Sequence, residues 1–387
     1  MRRYTIWLGG ARIGTAVERE AWSAAGITFV RAESLRFLRE ETAVSLETTI
    51  EIVADAALVP ARVVWTGAPG GRATALRGPD GWIVEGAGPR RALSGGVPAE
   101  LVPLLVRRDG HFTGRVFLPA RGFVVGDGRV DAIAPRRLVA RLATGGAVAE
   151  STIDVDPDGS YARVVDGDGV IALRATPAQA AAPFSPVDLI AATAIPIRGV
   201  ARRARRLLLG GDVALPPLPG QAARATAGGV ELELSPRLPG ALPPPDVPPL
   251  APPLPSGSDR TREIRALVAQ VRARIAPDLA AGPALAAAAP AATAGDCTTY
   301  ALAYAAHAAV AKIPTRVVTG LRIDGDRLVR HRWAVSWTGR AWIAVDAALD
   351  SAPAGGDLIG LAVHDPDDAG LVAGEAALTQ LRSAAWR

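Results

Sequence analysis

The 387-residue sequence contains a single cysteine, Cys297. One cysteine cannot form an intramolecular disulfide, and it cannot supply the several thiolates of a cysteine-based zinc site. Hydrophobic residues make up 49% of the chain, so it can bury a core without such cross-links. The lone thiol is therefore either an inert packed side chain or a functional group.

Lysine is also almost absent, since Lys312 is the only lysine among 43 basic residues. The net charge is only +5, aromatic residues make up 5%, and no basic run alternates with aromatic side chains. We therefore expect no nucleic-acid partner. The densest basic group, residues 202–206, is interpreted as the solvated face of a helix over residues 185–209. A polyanion-binding patch is the alternative.

No apolar run reaches the roughly 18 residues that a membrane-spanning helix needs, so we expect no integral membrane segment. Residues 4–8 form too short an apolar stretch for a secretory signal and predict a first strand instead. The sequence as given predicts a cytoplasmic protein. A periplasmic or envelope location is the alternative if the start codon is misassigned.

The first 235 residues predict a β-rich domain. Short segments rich in β-branched and aromatic residues alternate with glycine-containing turns, as at residues 44–53 and 82–84. One helix is expected over residues 98–108, where the leucines form an apolar stripe.

A proline-rich segment, residues 236–258, follows this domain. Ten of the 20 residues from Pro236 to Pro255 are proline, a composition that favours extended polyproline II without a packable face. We interpret the segment as a linker or strap between domains, with a ligand for proline-recognition modules as the alternative.

Residues 259–387 predict a second domain that mixes helices and strands. Apolar periodicity indicates helices at residues 262–275 and 297–311, and three strands follow at residues 316–323, 328–337 and 342–347. The predicted fold class for the whole chain is α+β.

Two motifs resemble ligand sites but lack an essential part. Residues 154–159 carry alternating aspartates and a glycine, as a calcium-binding loop does, but Val165 stands where that loop needs a bidentate glutamate. The glycine-rich residues 9–14 lack the Lys-Ser/Thr pair of a phosphate-binding loop. Both are interpreted as hairpin turns, and we expect neither a metal nor a cofactor.

The surroundings of Cys297 point to chemistry. Gly295 and Asp296 break the preceding alanine-rich stretch, which places Cys297 at the start of a helix. Free backbone N–H groups and the helix dipole favour a thiolate there, and the same amides can donate to an oxyanion. The alternative is a small residue buried beneath the helix, as free cysteines often are.

His331 has an acidic partner in the sequence. A two-residue turn at 338–339 or at 339–340 places Asp346 opposite either His331 or Trp333, and both registers put Asp346 and His331 on the same sheet face. Asp346 can then orient the imidazole while His331 takes the thiol proton. Taken singly, His331 is also consistent with a half-exposed strand residue and Asp346 with a strand-end cap.

These segments resemble the core of the bacterial transglutaminase-like proteins, which implies a papain-like fold and a Cys-His-Asp triad. The spacing is 34 residues from Cys to His and 15 from His to Asp. The similarity covers approximately residues 262–363. The motifs that carry it are Gly295-Asp296-Cys297-Thr-Thr-Tyr, Ile313-Pro314-Thr-Arg316, His331-Arg-Trp333 and Trp342-Ile-Ala-Val-Asp346.

The sequence departs from the family at three positions. Thr299 and Val335 stand where close relatives often carry glutamate, and Asp346 is followed by Ala347 instead of proline. We place no counterpart of the tryptophan that assists the oxyanion in animal transglutaminases, so the backbone N–H of Cys297 is the one oxyanion donor we name.

The sequence therefore predicts an enzyme that forms a thioester acyl-enzyme with a peptide or protein carboxamide. If water is the acceptor, the enzyme is a peptidase or amidase; if an amine is the acceptor, it is a transglutaminase-like acyltransferase. The sequence leaves both possibilities open. It also leaves the oligomeric state open. The predicted roles are Cys297 as nucleophile, His331 as base and Asp346 as orienting group, with Asp296, Trp333, Trp337 and Trp342 in the substrate cleft.

Two alternatives from other classes remain. One is a non-catalytic peptide-binding or envelope-scaffold protein with a decayed transglutaminase-like domain. The other is a lipid or glycan carrier that acts through its β-rich domain.

Overall fold

The structure is a computed structural model that divides into two compact units, Met1–Ala192 and Thr193–Arg387. Most of the predicted proline-rich linker and residues 202–205 of the basic group lie outside the described residues. The described residues are 1–67, 71–86, 88–167, 169–200, 206–240, 242–243, 260–280 and 285–387.

The first unit contains one 15-stranded sheet. Strands β1 to β8 run outward in sequence order from β1 to one edge, and β15 pairs with β1 and leads back through β14 to β9 at the other edge. The predicted β-rich character of this region is confirmed. The strands are β1 (Arg2–Leu8), β2 (Ala11–Ser23), β3 (Gly26–Arg39), β4 (Thr42–Ala54), β5 (Pro60–Gly67), β6 (Gly71–Gly78), β7 (Gly81–Gly86), β8 (Gly88–Leu93), β9 (Val97–Pro98), β10 (Phe112–Leu118), β11 (Val124–Ala134), β12 (Arg137–Thr144), β13 (Ala147–Val155), β14 (Tyr161–Val165) and β15 (Ile171–Ala175).

Alternating side chains of these strands form the core of the first unit. Phe29 and Ile52 come from neighbouring strands and are fully buried with Trp82. The expected helix at residues 98–108 is confirmed as a short 3-10 turn followed by a helix that adds Leu104 to this core.

The described helices of the whole chain are α1 (Val102–Asp109), α2 (Pro177–Ala181), α3 (Leu189–Thr193), α4 (Thr261–Arg274), α5 (Cys297–Val310) and α6 (Asp368–Leu378).

The two glycine-containing motifs are hairpin turns, as expected. Residues 9–10 connect β1 to β2, and residues 156–160 connect β13 to β14. In the second turn Asp158 accepts hydrogen bonds from the backbone N–H and the hydroxyl of Ser160. Asp154, at the end of β13, pairs with Arg137.

The second unit contains a nine-stranded mixed sheet, in the order β18-β19-β17-β26-β16-β23-β22-β25, with β24 also paired to β23. The predicted helices at 262–275 and 297–311 and the three predicted strands are confirmed by α4, α5 and β22 to β24. The strands are β16 (Ile195–Arg198), β17 (Arg206–Gly211), β18 (Gln221–Thr226), β19 (Gly229–Leu234), β20 (Ala276–Pro277), β21 (Ala294–Gly295), β22 (Thr315–Asp324), β23 (Arg327–Trp337), β24 (Trp342–Val345), β25 (Leu358–His364) and β26 (Leu381–Trp386).

The observed division differs from the predicted domain boundary at residue 235. Strands β16 to β19 belong to the second unit, because β16 pairs with β23 and β26, and β17 pairs with β26. These partner strands lie more than 100 residues away in the sequence, so the local composition of residues 195–234 does not reveal the pairing.

The prediction of one continuous helix over residues 185–209 is wrong. Leu189–Thr193 is helical, but Ile195–Arg198 and Arg206–Gly211 are strands. Pro196 removes a backbone donor, which disfavours a helix interior. Leu207 and Leu209 are fully buried, as expected for a strand with a period of two.

Within the described part of the chain, no helix is both long enough and apolar enough to cross a membrane. The cytoplasmic location stays a prediction.

Candidate active site

Cys297 is the first residue of helix α5, as the sequence predicts, and its side chain is half-buried. Asp296 is the N-cap: its carboxylate accepts hydrogen bonds from the backbone N–H of Thr298 at 2.9 Å and of Thr299 at 3.4 Å. The cap satisfies these two amides and fixes the first turn of the helix. Asp296, which the sequence assigned to the substrate cleft, is thus used to hold the helix start in place.

Strand β23 presents His331 in a gap between two partner strands. On one of its edges β16 pairs at residues 327–328 and β24 pairs at residues 334–337, so within the described part of the chain neither of these two strands pairs with His331. On the opposite edge His331 is in register with Gly320 of β22. The backbone of His331 is therefore paired on the edge that faces β22, whereas the short strands β16 and β24 end before they reach it on the other edge.

His331 and Asp346 are hydrogen-bonded, with Nε2 and Oδ2 2.6 Å apart. The pairing of β23 with β24 follows the register that a turn at residues 339–340 gives, so the expectation that both side chains share a sheet face is confirmed. The other oxygen of Asp346 accepts from the backbone N–H groups of Ala348 and Leu349. Because a carboxylate oxygen accepts, Nε2 carries the proton, and Nδ1 is the nitrogen left for Cys297.

The electrostatics of His331 link all three residues. Burial lowers its pKa, but the hydrogen bond with Asp346, the interaction with Cys297 and the charges of both raise the pKa to about 10. His331 is only 8% exposed and Asp346 only 1%. The imidazolium form is thus favoured at neutral pH when it lies between a carboxylate and a thiolate.

The three predicted cleft tryptophans have different surroundings. Trp333 stacks on the His331 ring, with centroids 6.0 Å apart and planes at 20°, and it is 3% exposed. A Cβ atom at Gly320 would lie 2.8 Å from the Trp333 ring, so glycine there makes room for it. Trp337 and Trp342 contact each other edge to face, and Trp342 donates its indole N–H to the carbonyl of Pro243.

Trp333 and Trp342 are therefore buried packing residues, and Trp337 is partly buried against the same apolar cluster. A cavity of about 570 Å³ adjoins Asp346. Its described lining residues are Ile323, Gly325, Asp346, Leu349, Ser351, Ala354, Gly355, Asp357 and Leu358. None of the three tryptophans is among these lining residues, so a tryptophan-walled cleft stays a prediction.

A buried arginine that the sequence analysis did not single out lies next to this site. Arg332 donates to the hydroxyls of Thr319 and Thr298 and pairs with Glu375. The signal that could have found it is its place in the motif His331-Arg-Trp333, where a charged residue points to the face of the sheet opposite to His331.

His364 of β25 is part of the same cluster. Its Nε2 is 2.9 Å from the Thr319 hydroxyl, and its Nδ1 donates to the carbonyl of Asp365. Burial lowers its pKa to about 4. His364 is thus neutral and accepts a hydrogen bond through Nε2.

No group of three or more histidine, cysteine, aspartate or glutamate side chains that could hold a metal ion occurs among the described residues. The expected absence of a metal, a cofactor and a nucleic-acid partner stays a prediction.

Residues 250–347 match the family model described as the transglutaminase-like superfamily. This segment contains helix α5, the β22–β23 hairpin and Asp346, the elements on which the sequence resemblance rests. The chain carries a transglutaminase-like domain.

A candidate cysteine protease from Cytophaga hutchinsonii is a solved structure to which the chain is similar, at 14% sequence identity and a TM-score of 0.25. The match covers 46% of this chain and 80% of that chain. No curated protein matches the chain.

Proposed function

We propose that the transglutaminase-like domain is a cysteine acyl-transfer enzyme with a papain-like arrangement of Cys297, His331 and Asp346. The observation that carries the proposal is the buried His331–Asp346 hydrogen bond, whose histidine also interacts with the helix-start cysteine. A nucleophile, a base that can take its proton and a third group that orients the base are the components of triad chemistry.

The proposed reaction has two steps. The Cys297 sulfur attacks the carbonyl carbon of a peptide or protein carboxamide, a C–S bond forms, and His331 delivers a proton to the leaving amine as the C–N bond breaks. In the second step water or a second amine attacks the thioester carbon, gives a proton to His331 and releases the thiolate. The backbone N–H of Cys297 is the proposed donor to the oxyanion of both tetrahedral intermediates.

Acylation by p-nitrophenyl acetate tests the first step with a probe that needs no knowledge of the substrate. We expect a burst of nitrophenolate and one added acetyl group on the tryptic peptide that contains Cys297. Cys297→Ala should abolish the burst, and His331→Gln should slow it about a hundredfold or more, since a general base typically contributes at least that much.

His307→Gln is the matched control for the histidine, because His307 lies on the same helix as Cys297 but ten residues further along, about 15 Å away by helical rise. This variant should retain the wild-type burst. Acetylation of other side chains, or equal rates for the wild type and His331→Gln, would contradict the proposal and favour the non-catalytic peptide-binding alternative.

Alkylation by iodoacetamide provides a second readout that requires no turnover. Cys297 is the only thiol, so incorporation of label reports on this site alone. We expect faster labelling near pH 6.5 than for a small-molecule thiol, because an imidazolium beside the sulfur favours the thiolate. Addition of an amine to the acetylated enzyme would then distinguish aminolysis from hydrolysis as the preferred second step.

A further inference from the structure

Arg332 is fixed by three elements at once. Its Nε donates to the Thr319 hydroxyl of β22 at 3.1 Å, one terminal nitrogen donates to the Thr298 hydroxyl of α5 at 2.9 Å, and the other pairs with Glu375 of α6. The side chain is only 13% exposed. A guanidinium that is hydrogen-bonded in three directions is held in one orientation. One of its three partners, Thr298, is the residue directly after Cys297.

The contact with Thr319 is itself ordered by a neutral histidine. Thr319 accepts from Arg332 and can therefore turn its own proton toward Nε2 of His364, 2.9 Å away. Helix α6 leaves space for this pair, because a Cβ atom at Gly374 would lie 2.3 Å from the Thr319 hydroxyl oxygen. The chain from His364 through Thr319 thus aims the guanidinium at the first turn of α5.

The charge of Arg332 lies beside the first turn of the helix that carries Cys297. Burial lowers the pKa of Arg332, but the charges of Glu375 and Cys297 raise the pKa above its ordinary value, with a further contribution from Asp296. The hydrogen bond to Thr298, the residue directly after Cys297, brings this positive charge to the start of the helix, while the pairing with Glu375 neutralises part of the charge.

We propose that Arg332 is a positioning residue of this site: it ties the Cys297 helix to β23 through Thr298, and its positive charge, moderated by Glu375, stabilises the thiolate. This proposal rests on the proposed function for its consequence in catalysis. The charge effect itself is measurable on the thiol alone. No bond to Arg332 forms or breaks in any step.

The test compares two substitutions whose effects on the thiolate should have opposite signs. In Arg332→Gln the rate of Cys297 alkylation near pH 6.5 should fall about tenfold, because a charge of opposite sign at close range has been removed. In Glu375→Gln the same rate should rise about threefold, because the positive charge of Arg332 is no longer partly neutralised. Arg332→Lys should retain at least about a third of the wild-type rate.

Arg330→Gln is the matched control. Arg330 lies two residues earlier on β23 and approaches Glu375 at 3.8 Å, but it lacks the hydrogen bond to Thr298 that Arg332 makes. Its alkylation rate should stay within about twofold of wild type. Circular dichroism and thermal unfolding of every variant establish that the folded protein is being compared.

The pH profile of alkylation, taken from about pH 5 to 9, separates a charge effect from a packing effect. The charged and titratable groups around Arg332 are Cys297 and the N-cap Asp296 at the start of α5, Glu375 from α6, His364 from β25, and Arg330 on its own strand, which also approaches Glu375. A change in packing alone would lower alkylation in both Arg332→Gln and Glu375→Gln. Loss of rate in both variants, or an unchanged profile in folded Arg332→Gln, would overturn the proposal.

The two proposals can fail separately. If wild-type protein shows no acylation burst but the alkylation profile moves in opposite directions in the two variants, the enzyme proposal fails and the role of Arg332 stands. If wild-type protein is acylated and Arg332→Gln is acylated at the same rate with the same profile, the role of Arg332 fails and the enzyme proposal stands.

Discussion

His331 Nε2 and Asp346 Oδ2 are 2.6 Å apart, although the strand register brings Asp346 beside Trp333. The last pair of β23 and β24 is Ala334 with Val345, and one further step reaches Asp346. The carboxylate therefore crosses the face of the sheet diagonally, as cross-strand neighbours can. Two backbone amides at its other oxygen keep it in this direction.

Replacement of Asp346 by Asn keeps the shape of the side chain but removes its charge. We expect acylation of Cys297 by p-nitrophenyl acetate to slow about a hundredfold or more, since the imidazolium loses its counter-ion and the neutral imidazole loses the partner that fixes its tautomer. Asp350→Asn is the control: its carboxylate is exposed in the same turn and its backbone has a φ of 56°, which asparagine tolerates. A burst as fast in Asp346→Asn as in Asp350→Asn would contradict the orienting role.

The stack of Trp333 on His331 predicts a coupled loss of stability and of pKa. Trp333→Leu should lower the free energy of unfolding by about 2–4 kcal/mol, because it leaves a cavity in a buried cluster. Burial lowers the pKa of His331, and Asp346 and Cys297 raise it by more; water beside the ring weakens both effects, so the pKa should fall toward its ordinary value, observable by NMR of ¹⁵N-labelled histidine. Trp337 is partly buried and does not stack on the imidazole. Trp337→Leu should therefore lower the free energy of unfolding by less than Trp333→Leu and leave the histidine resonances unshifted.

Gly374→Ala is expected to destabilise the protein, which reverses the usual effect of this substitution. In a helix interior, alanine is ordinarily favoured over glycine by about 1 kcal/mol. Here the new methyl group would lie 2.3 Å from the Thr319 hydroxyl and 3.0 Å from His364 Nε2. Thermal unfolding should show a lower midpoint, and an unchanged or higher midpoint would mean that Thr319 and His364 can yield without cost.

Acid should destabilise the second unit through His364. The pKa of this buried residue is lowered to about 4 from an ordinary value of 6.5, so the unfolded chain takes up a proton before the folded one. Its contribution to stability is therefore complete above pH 6.5 and is lost as the pH falls toward 4. The loss is on the order of 3 kcal/mol in the wild type.

Urea unfolding of wild type and His364→Gln at several pH values measures this loss. The variant should show a smaller decrease in free energy across the same pH range, because glutamine does not titrate. His111→Gln, which changes an exposed histidine, should follow the wild type. Parallel curves for the wild type and His364→Gln would exclude His364 as the cause.

Local features of the site could be read from the sequence because their determinants lie within a few residues. Asp296 caps the helix two and three residues ahead, and the turn at residues 339–340 sets the register that brings Asp346 to the face of His331. Short-range capping and a hairpin with a period of two leave few alternatives.

The remaining features depend on contacts that no local pattern records. Arg332 finds its partners 13, 34 and 43 residues away in Thr319, Thr298 and Glu375. The local pattern of residues 206–211 favours a helix, but these residues form strand β17 because they pair with β26 at the other end of the unit. Propensity is a weak prior where tertiary pairing decides the element.

The arrangement of β22 to β25 also limits how the domain can be dissected. Residues 250–347 contain β22, β23 and β24, but β22 takes its second neighbour from β25 at residues 358–364, and β23 is also bordered by β16. A fragment cut at the matched boundaries would expose an unpaired edge along β22 and invite strand-to-strand aggregation. The family signature is therefore shorter than the smallest piece of chain that closes the sheet around His331.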